Sequence, residues 1–132
     1  MAKKRKSLPK LKAQCQIVFN AYIRKRDEAL PCISCGHFRE AYDAGHFFAT
    51  QGYDGLRFTE DNAHKECVGC NRFNDSHLIL YRDNLLAKIG QERFDALYKD
   101  AAEYKKNGYK WSRSEIEDKI VEYRTKLKEL LK

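Results

Sequence analysis

The stretch YDAGHFFATQGYDGLRFTEDNAHKECVGCN, residues 42–71, decides the fold, because it closes on a Cys-x-x-Cys pair that answers an earlier one, CISC at residues 32–35. Cys32 and Cys35 are separated from Cys67 and Cys70 by 31 residues. Two such pairs supply the four thiolates that tetrahedral zinc takes in a closed structural site. Gly36 follows the first pair, where a knuckle turn often needs a positive φ that only glycine adopts cheaply. In a chain of 132 residues the metal also replaces core that cannot otherwise be built. The gap between the pairs is long, so something sizeable is held between the knuckles. His37 and His77 are surplus as ligands and read as surface residues. Cys15, the fifth cysteine, lies on a helical apolar stripe and reads as a bystander. A closed four-thiolate site is structural and by itself implies no catalysis.

Outward from this centre the pattern changes. Glycines at 36, 45, 52 and 55 and interleaved aromatics make residues 32–70 short strands and loops. Upstream, Leu11, Cys15, Val18, Phe19, Tyr22 and Ile23 mark one face of a helix over 11–30, which Pro31 ends. Pro9 discourages helix before it. Downstream, helix resumes after Cys70, again from about Leu78 to Lys88 with Gly90 as its stop, and from Gln91 to Lys106, broken at Asn107-Gly108. A last helix starts at Ser112 or Ser114, since Ser112 with Glu115 and Ser114 with Glu117 both form capping boxes. Its stripe, Ile116, Ile120, Tyr123, Leu127 and Leu130, is a short heptad seam that reads as packing on the first helix in preference to a dimer seam.

Between the knuckles, a His at a strand end, an Asn five residues before the second Cys-x-x-Cys, and a polar residue just after it reproduce the HNH pattern. His46, Asn62 and Asn71 stand at those places. The frame resembles HNH endonucleases generally, and the phage endonuclease VII type, whose last place is likewise Asn. A closer likeness runs through VFNAYIRKRD, LPCISCG, DAGHF, LRFTEDNAHKECVGCN, LYRDNLLAKIGQE and YRTKLKEL. These segments, from about residue 16 to 130, resemble the NinG (Rap) recombination nucleases of lambda-type phages, with a short basic arm in place of that family's longer N-terminal extension. The resemblance implies an α+β fold: a small zinc-bound treble-clef (ββα-metal) HNH core at 31–77, flanked by the 11–30 helix and C-terminal helices over 78–132. Together these make one nuclease domain over 11–132, behind a flexible arm at 1–10.

The implied activity is a metal-dependent DNA endonuclease acting on branched recombination intermediates of the Holliday-junction type. A neutral imidazole takes a proton from water near pH 7 better than a carboxylate does, so His46 is assigned as general base. One hard dication, Mg²⁺ or Mn²⁺, can bind the scissile phosphate through oxygen ligands. Asn71 is assigned as its ligand, against a plain helix-cap role. Asn62 holds the imidazole or its loop. Asp75, spaced i+4 from Asn71, adds a carboxylate or is a solvated turn residue. Many HNH proteins carry Asp directly before the catalytic His. Here that place is Gly45, and Asp43 either binds metal or orients His46 from behind, as in DRGH nucleases. His64 touches substrate phosphate or packs. Arg57, Lys65 and Arg72 contact the DNA backbone or are merely solvated.

The charge supports a polyanionic partner only weakly. Lys3, Lys4, Arg5, Lys6, Lys10 and Lys12 hold nearly all of the net charge of +7, since the remaining residues carry 20 bases against 19 acids. Such an arm suits salt-dependent phosphate contacts, or serves as a solubilising tail. No apolar run approaches membrane-spanning length and no signal-peptide stretch opens the chain, so the expectation is a soluble protein of the host-cell cytoplasm with reduced cysteines. A resolvase cuts two strands in concert, which implies a two-fold homodimer, and recombination proteins are expected partners. Two other readings keep the same motifs: a non-catalytic zinc module that binds nucleic acid, and a nonspecific or site-specific HNH nickase.

Overall fold

The computed structural model describes residues 5–132, so Lys3 and Lys4 of the basic arm lie outside the described residues. Helix α1 spans Leu8–Arg26, and Ser7 caps it by accepting the Lys10 N–H at 3.4 Å. The helix therefore starts before Pro9, not after it. Proline in the first turn lacks only a donor that no helical carbonyl would have used. It also stops at Arg26, well short of Leu30. Asp27 closes it, its N–H bonded to the Ile23 carbonyl and its carboxylate buried among Arg26, Lys88 and the Lys65 N–H.

Two short strands follow, β1 (Tyr42–His46) and β2 (Ala63–Cys67), paired antiparallel. The register sets Tyr42 opposite Cys67 at the knuckle end and His46 opposite Ala63 at the other. The strand pair thus connects the four-cysteine cluster directly to His46. Helix α2 (Val68–Phe73) begins inside the second knuckle rather than after it, because the Cys67 sulfur caps it by accepting the Cys70 N–H. Helices α3 (His77–Ile89), α4 (Gln91–Asn107) and α5 (Arg113–Leu130) complete the chain. Gly90 and Gly108 separate them at φ of 85° and 68°, where a side chain would be strained. Of the two candidate capping boxes, Ser112 with Glu115 is the one formed.

The α+β class predicted from sequence is what the chain adopts: helices around a two-stranded sheet and a cysteine cluster. Leu11, Cys15, Phe19 and Ile23 of α1 pack against Ile116, Ile120 and Tyr123 of α5, with Phe58 and Trp111 filling one end. The short heptad seam is therefore an intramolecular contact over most of its length; only Leu130 at its end is exposed. A second core joins Tyr81, Leu85 and Ile89 of α3 to Phe94 and Leu97 of α4 and to Phe47 beyond β1. Tyr81 also donates to the Gly45 carbonyl at 2.6 Å, tying α3 to the strand that carries His46. Among the described residues no helix is long and apolar enough to cross a membrane.

Candidate metal centre and active cleft

The sulfurs of Cys32, Cys35, Cys67 and Cys70 all lie within 4.8 Å of one another, and those of Cys35 and Cys67 are 3.9 Å apart. Tetrahedral zinc with Zn–S bonds of about 2.3 Å requires sulfurs about 3.8 Å apart. Backbone N–H groups already point at the sulfurs: Cys35 and Cys67 donate to the Cys32 Sγ at 3.4 and 3.3 Å. The cluster fits a structural zinc ion by donor set and by spacing. Cys15 is apart from it, buried in α1, and burial pushes its thiol up to about 11, which leaves it unreactive.

His46 ends β1, with its Nε2 3.0 Å from the Arg57 carbonyl oxygen. A carbonyl only accepts, so Nε2 carries the hydrogen and Nδ1 keeps the basic lone pair. Burial holds the imidazole below its ordinary pKa; the bond to the Arg57 carbonyl opposes this, the Arg57 charge adds to it, and a bond to the Ala44 carbonyl opposes it again. The ring is therefore neutral at pH 7. Arg57 is itself fixed, donating to Asp54 at 2.7 Å and Gln16 at 3.2 Å.

Asn62 is fully buried and holds the loop rather than the ring. Its Oδ1 accepts the Phe48 N–H at 2.9 Å, and its Nδ2 donates to the carbonyls of Phe48 and Leu56 at 3.0 and 3.3 Å. One side chain thus clamps the segment leaving His46 to the turn that supplies the Arg57 carbonyl. Asn62→Ala strands these groups, and a buried unsatisfied group costs about 1–3 kcal/mol. Urea unfolding will show a loss of about 3 kcal/mol in this variant; an unchanged midpoint and slope would remove the clamp from the account.

Asn71 on α2 donates from Nδ2 to Asp43 Oδ2 at 2.9 Å. A carboxylate only accepts, so this bond fixes the amide and frees Oδ1 from Asp43. Arg72 grips the same carboxylate through Nε and Nη2 at 2.9 and 2.8 Å. Burial pushes the Asp43 carboxyl up, but these bonds and charges outweigh it and hold it below the usual range. Asp43 thus bonds Asn71 and Arg72, and among the described residues it makes no hydrogen bond to His46. It orients Asn71.

His46 and Asn71 line one cleft of about 800 Å³, walled by Phe47, Phe48 and Tyr53. His77, expected at the surface, lines it too. Its Nδ1 lies 2.5 Å from Glu66 Oε2, and its side chain is only 16% exposed. No spacing rule finds this pair, since the partners sit on β2 and α3 and meet only through the fold.

Other predicted site residues lie elsewhere. Asp75 is exposed and does not line the cleft, because α2 ends at Phe73 and Asn74 is extended, which voids the i, i+4 argument. His64 lies on β2, just beyond the 3₁₀ turn that Asn62 ends. It is buried away from the cleft, with Nε2 donating to the Asp61 carbonyl at 2.8 Å and Nδ1 accepting from Lys88 at 2.8 Å and Arg26 at 3.1 Å. No ring nitrogen remains for a phosphate, so His64 packs. Lys65 is buried as well, donating to the Leu30 carbonyl at 2.8 Å and lying over the Tyr42 ring. Arg57 and Arg72 are committed to Asp54 and Asp43, though Arg72 remains more than half exposed. Arg5 and Lys6 are exposed ahead of α1.

Burial, then the charges of Lys88 and Arg26, lower the His64 pKa to about 3. The unfolded chain takes that proton near pH 6.5, and the folded chain does not until far below. Stability is therefore undiminished above pH 6.5 and falls as pH drops from there toward 3, by up to about 1.4 kcal/mol per pH unit for one proton. Urea unfolding of zinc-loaded protein between pH 7 and 5 will show a shallower decline for His64→Gln than for the wild type. Parallel declines would contradict the neutral, buried His64.

No solved structure matches the chain. Among curated proteins it is 43% identical over 118 residues to Protein ninG of Escherichia phage lambda, covering 89% of this chain and 55% of that protein. It is 42% identical over 118 residues to Protein ninG of Salmonella phage P22, covering 89% of this chain and 56% of that one. The chain thus spans about half the length of the curated relatives it matches. The family described as Bacteriophage Lambda NinG protein matches residues 1–132, end to end. With the paired knuckles and the segment around His46 both inside the matched range, the chain belongs to the phage NinG family.

Proposed function

We propose that this NinG-family chain is a metal-dependent DNA endonuclease of the HNH (ββα-metal) type, acting on branched recombination intermediates such as Holliday junctions. The observation that carries the reading is the pinned His46: its Nε2–H is fixed on the Arg57 carbonyl, its Nδ1 is basic and neutral at pH 7, and Asn71 shares its cleft. In this reading Nδ1 takes the proton from the attacking water. Asn71, held by Asp43, offers a carboxamide oxygen to a dication. Mg²⁺ or Mn²⁺ bound there supplies charge stabilisation at the scissile phosphate and leaving oxygen. Zinc at the four cysteines holds β2 and α2 in register behind the cleft.

A pure nucleic-acid-binding zinc module has no need for a histidine with a fixed tautomer beside an oriented carboxamide, and that favours the enzyme over the binder. Branched substrate is supported by the resemblance to recombination nucleases alone. Resolution of a junction by two cuts needs a second copy, and α1 already occupies most of the α5 seam, so a two-fold dimer would use another surface. Zinc-loaded protein with Mg²⁺ or Mn²⁺, incubated on labelled four-way junction, flap and linear duplex, tests the proposal. Cleavage of the junction with duplex spared is expected. Equal cutting of all three leaves a nonspecific nuclease or nickase, and binding without cutting leaves the module.

A further inference from the structure

We propose that His77, oriented by the buried carboxylate of Glu66, is a ligand for the dication that Asn71 holds in the cleft. The inference rests on the endonuclease reading for its purpose, but its geometry stands apart from it. Glu66 on β2 is fully buried. Its Oε2 accepts from the Ser34 hydroxyl and lies 2.5 Å from His77 Nδ1, while its Oε1 has no hydrogen-bond partner among the described residues. A buried carboxylate is costly, and an apolar side chain would serve packing better at that place.

The fold makes room for this carboxylate. A Cβ on Gly45 would lie 2.2 Å from Glu66 Oε1, so the position before His46 carries no side chain and Glu66 fills the space from the neighbouring strand. The carboxylate accepts from His77 Nδ1, which places the ring hydrogen there and leaves the lone pair on Nε2. A carboxylate behind an imidazole is the arrangement that fixes tautomer and ring direction in metal-binding histidines. Among the described residues Nε2 has no hydrogen-bond partner, and His77 lines the cleft with His46 and Asn71. His77 also opens α3, so its backbone is held by a helix anchored at Tyr81. Asn71 and His77 together make a mixed oxygen and nitrogen donor set. Imidazole favours Mn²⁺ and later first-row ions over Mg²⁺ more than an all-oxygen site does.

The test is Mn²⁺ binding to zinc-loaded protein without DNA, read by the electron paramagnetic resonance of free Mn²⁺ and by paramagnetic broadening of the histidine ring signals. Wild type should bind one Mn²⁺, which should broaden the rings of His77 and His46, the two cleft histidines, ahead of those of His37 and His64. His77→Ala and Glu66→Gln should each weaken binding about 10- to 100-fold, with zinc content and circular dichroism unchanged. Should Glu66→Gln fail to fold, His77→Ala alone and the wild-type broadening pattern still decide the question. Wild-type Mn²⁺ affinity in folded His77→Ala, or no Mn²⁺ binding by the wild type at millimolar concentration, overturns the inference. The two readings fail separately. Mn²⁺ held through His77 by a protein that cuts no DNA keeps this site and removes the nuclease, whereas His46-dependent cutting with His77 irrelevant to Mn²⁺ does the reverse.

Discussion

Replacing Cys67 with serine will empty the zinc site and unfold the core that carries His46. Cys67 ends β2, caps α2 through its sulfur, and donates its N–H to the Cys32 sulfur, so three pieces of structure meet at one residue. The sheet it closes has only two strands, which are marginal in water without further support. Structural zinc contributes about 10–16 kcal/mol in small domains. A domain of this size has a net stability of about 5–15 kcal/mol, so the loss is as large as the whole of it. Zinc release assays should find one ion per chain in the wild type and in Cys15→Ala, and none in Cys67→Ser. Chelator should lower the melting temperature of the first two and leave Cys67→Ser, already unfolded by circular dichroism, unchanged. A Cys67→Ser protein that melts like the wild type would show that the cluster holds no structural metal.

Much of this centre is legible in the sequence because it is written in short-range patterns. Cys-x-x-Cys pairs, a glycine after the first, and a 3.6-residue stripe in α1 each have one physical solution. The boundaries of α1 are less legible: Pro9 reads as a barrier in isolation and as a permitted first-turn residue once Ser7 caps the helix. Its end at Asp27 depends on Lys88, a partner from α3 that no local rule supplies. The same limit explains the site. His46, Asn62 and Asn71 follow a spaced motif, whereas the Glu66–His77 and Asp43–Asn71 pairs form between elements and carry no spacing signal. Asp75 differs for the opposite reason: its i, i+4 spacing from Asn71 crosses a helix end, at Phe73, that the sequence does not announce. His64 reads as a phosphate contact or a packing residue and Lys65 as a DNA contact or a solvated one, and burial of the whole strand, which follows from tertiary packing, favours packing for both.

The second large effect belongs to His46. Removing a positioned general base costs about 10²- to 10⁴-fold in rate. His46 bonds only backbone carbonyls, those of Arg57 and Ala44, and it lies at a strand end away from the four cysteines, so His46→Ala should fold and keep its zinc. The pH profile carries the same signature. Burial lowers the imidazole pKa below 6.5, and the base must be neutral to act. Cleavage should therefore be constant near pH 7 and fall with acid through a midpoint below 6.5. A midpoint above 7 would place the ionisation on another group.

The most direct measurement is single-turnover cleavage of a fixed four-way junction by wild type and by His46→Ala, both with zinc content and circular dichroism confirmed, in Mg²⁺ and in Mn²⁺. The account predicts cutting by the wild type and a loss of at least about a hundredfold in the variant, in either ion. Equal cutting by the two proteins, or none by a zinc-loaded wild type that binds the junction, would contradict it.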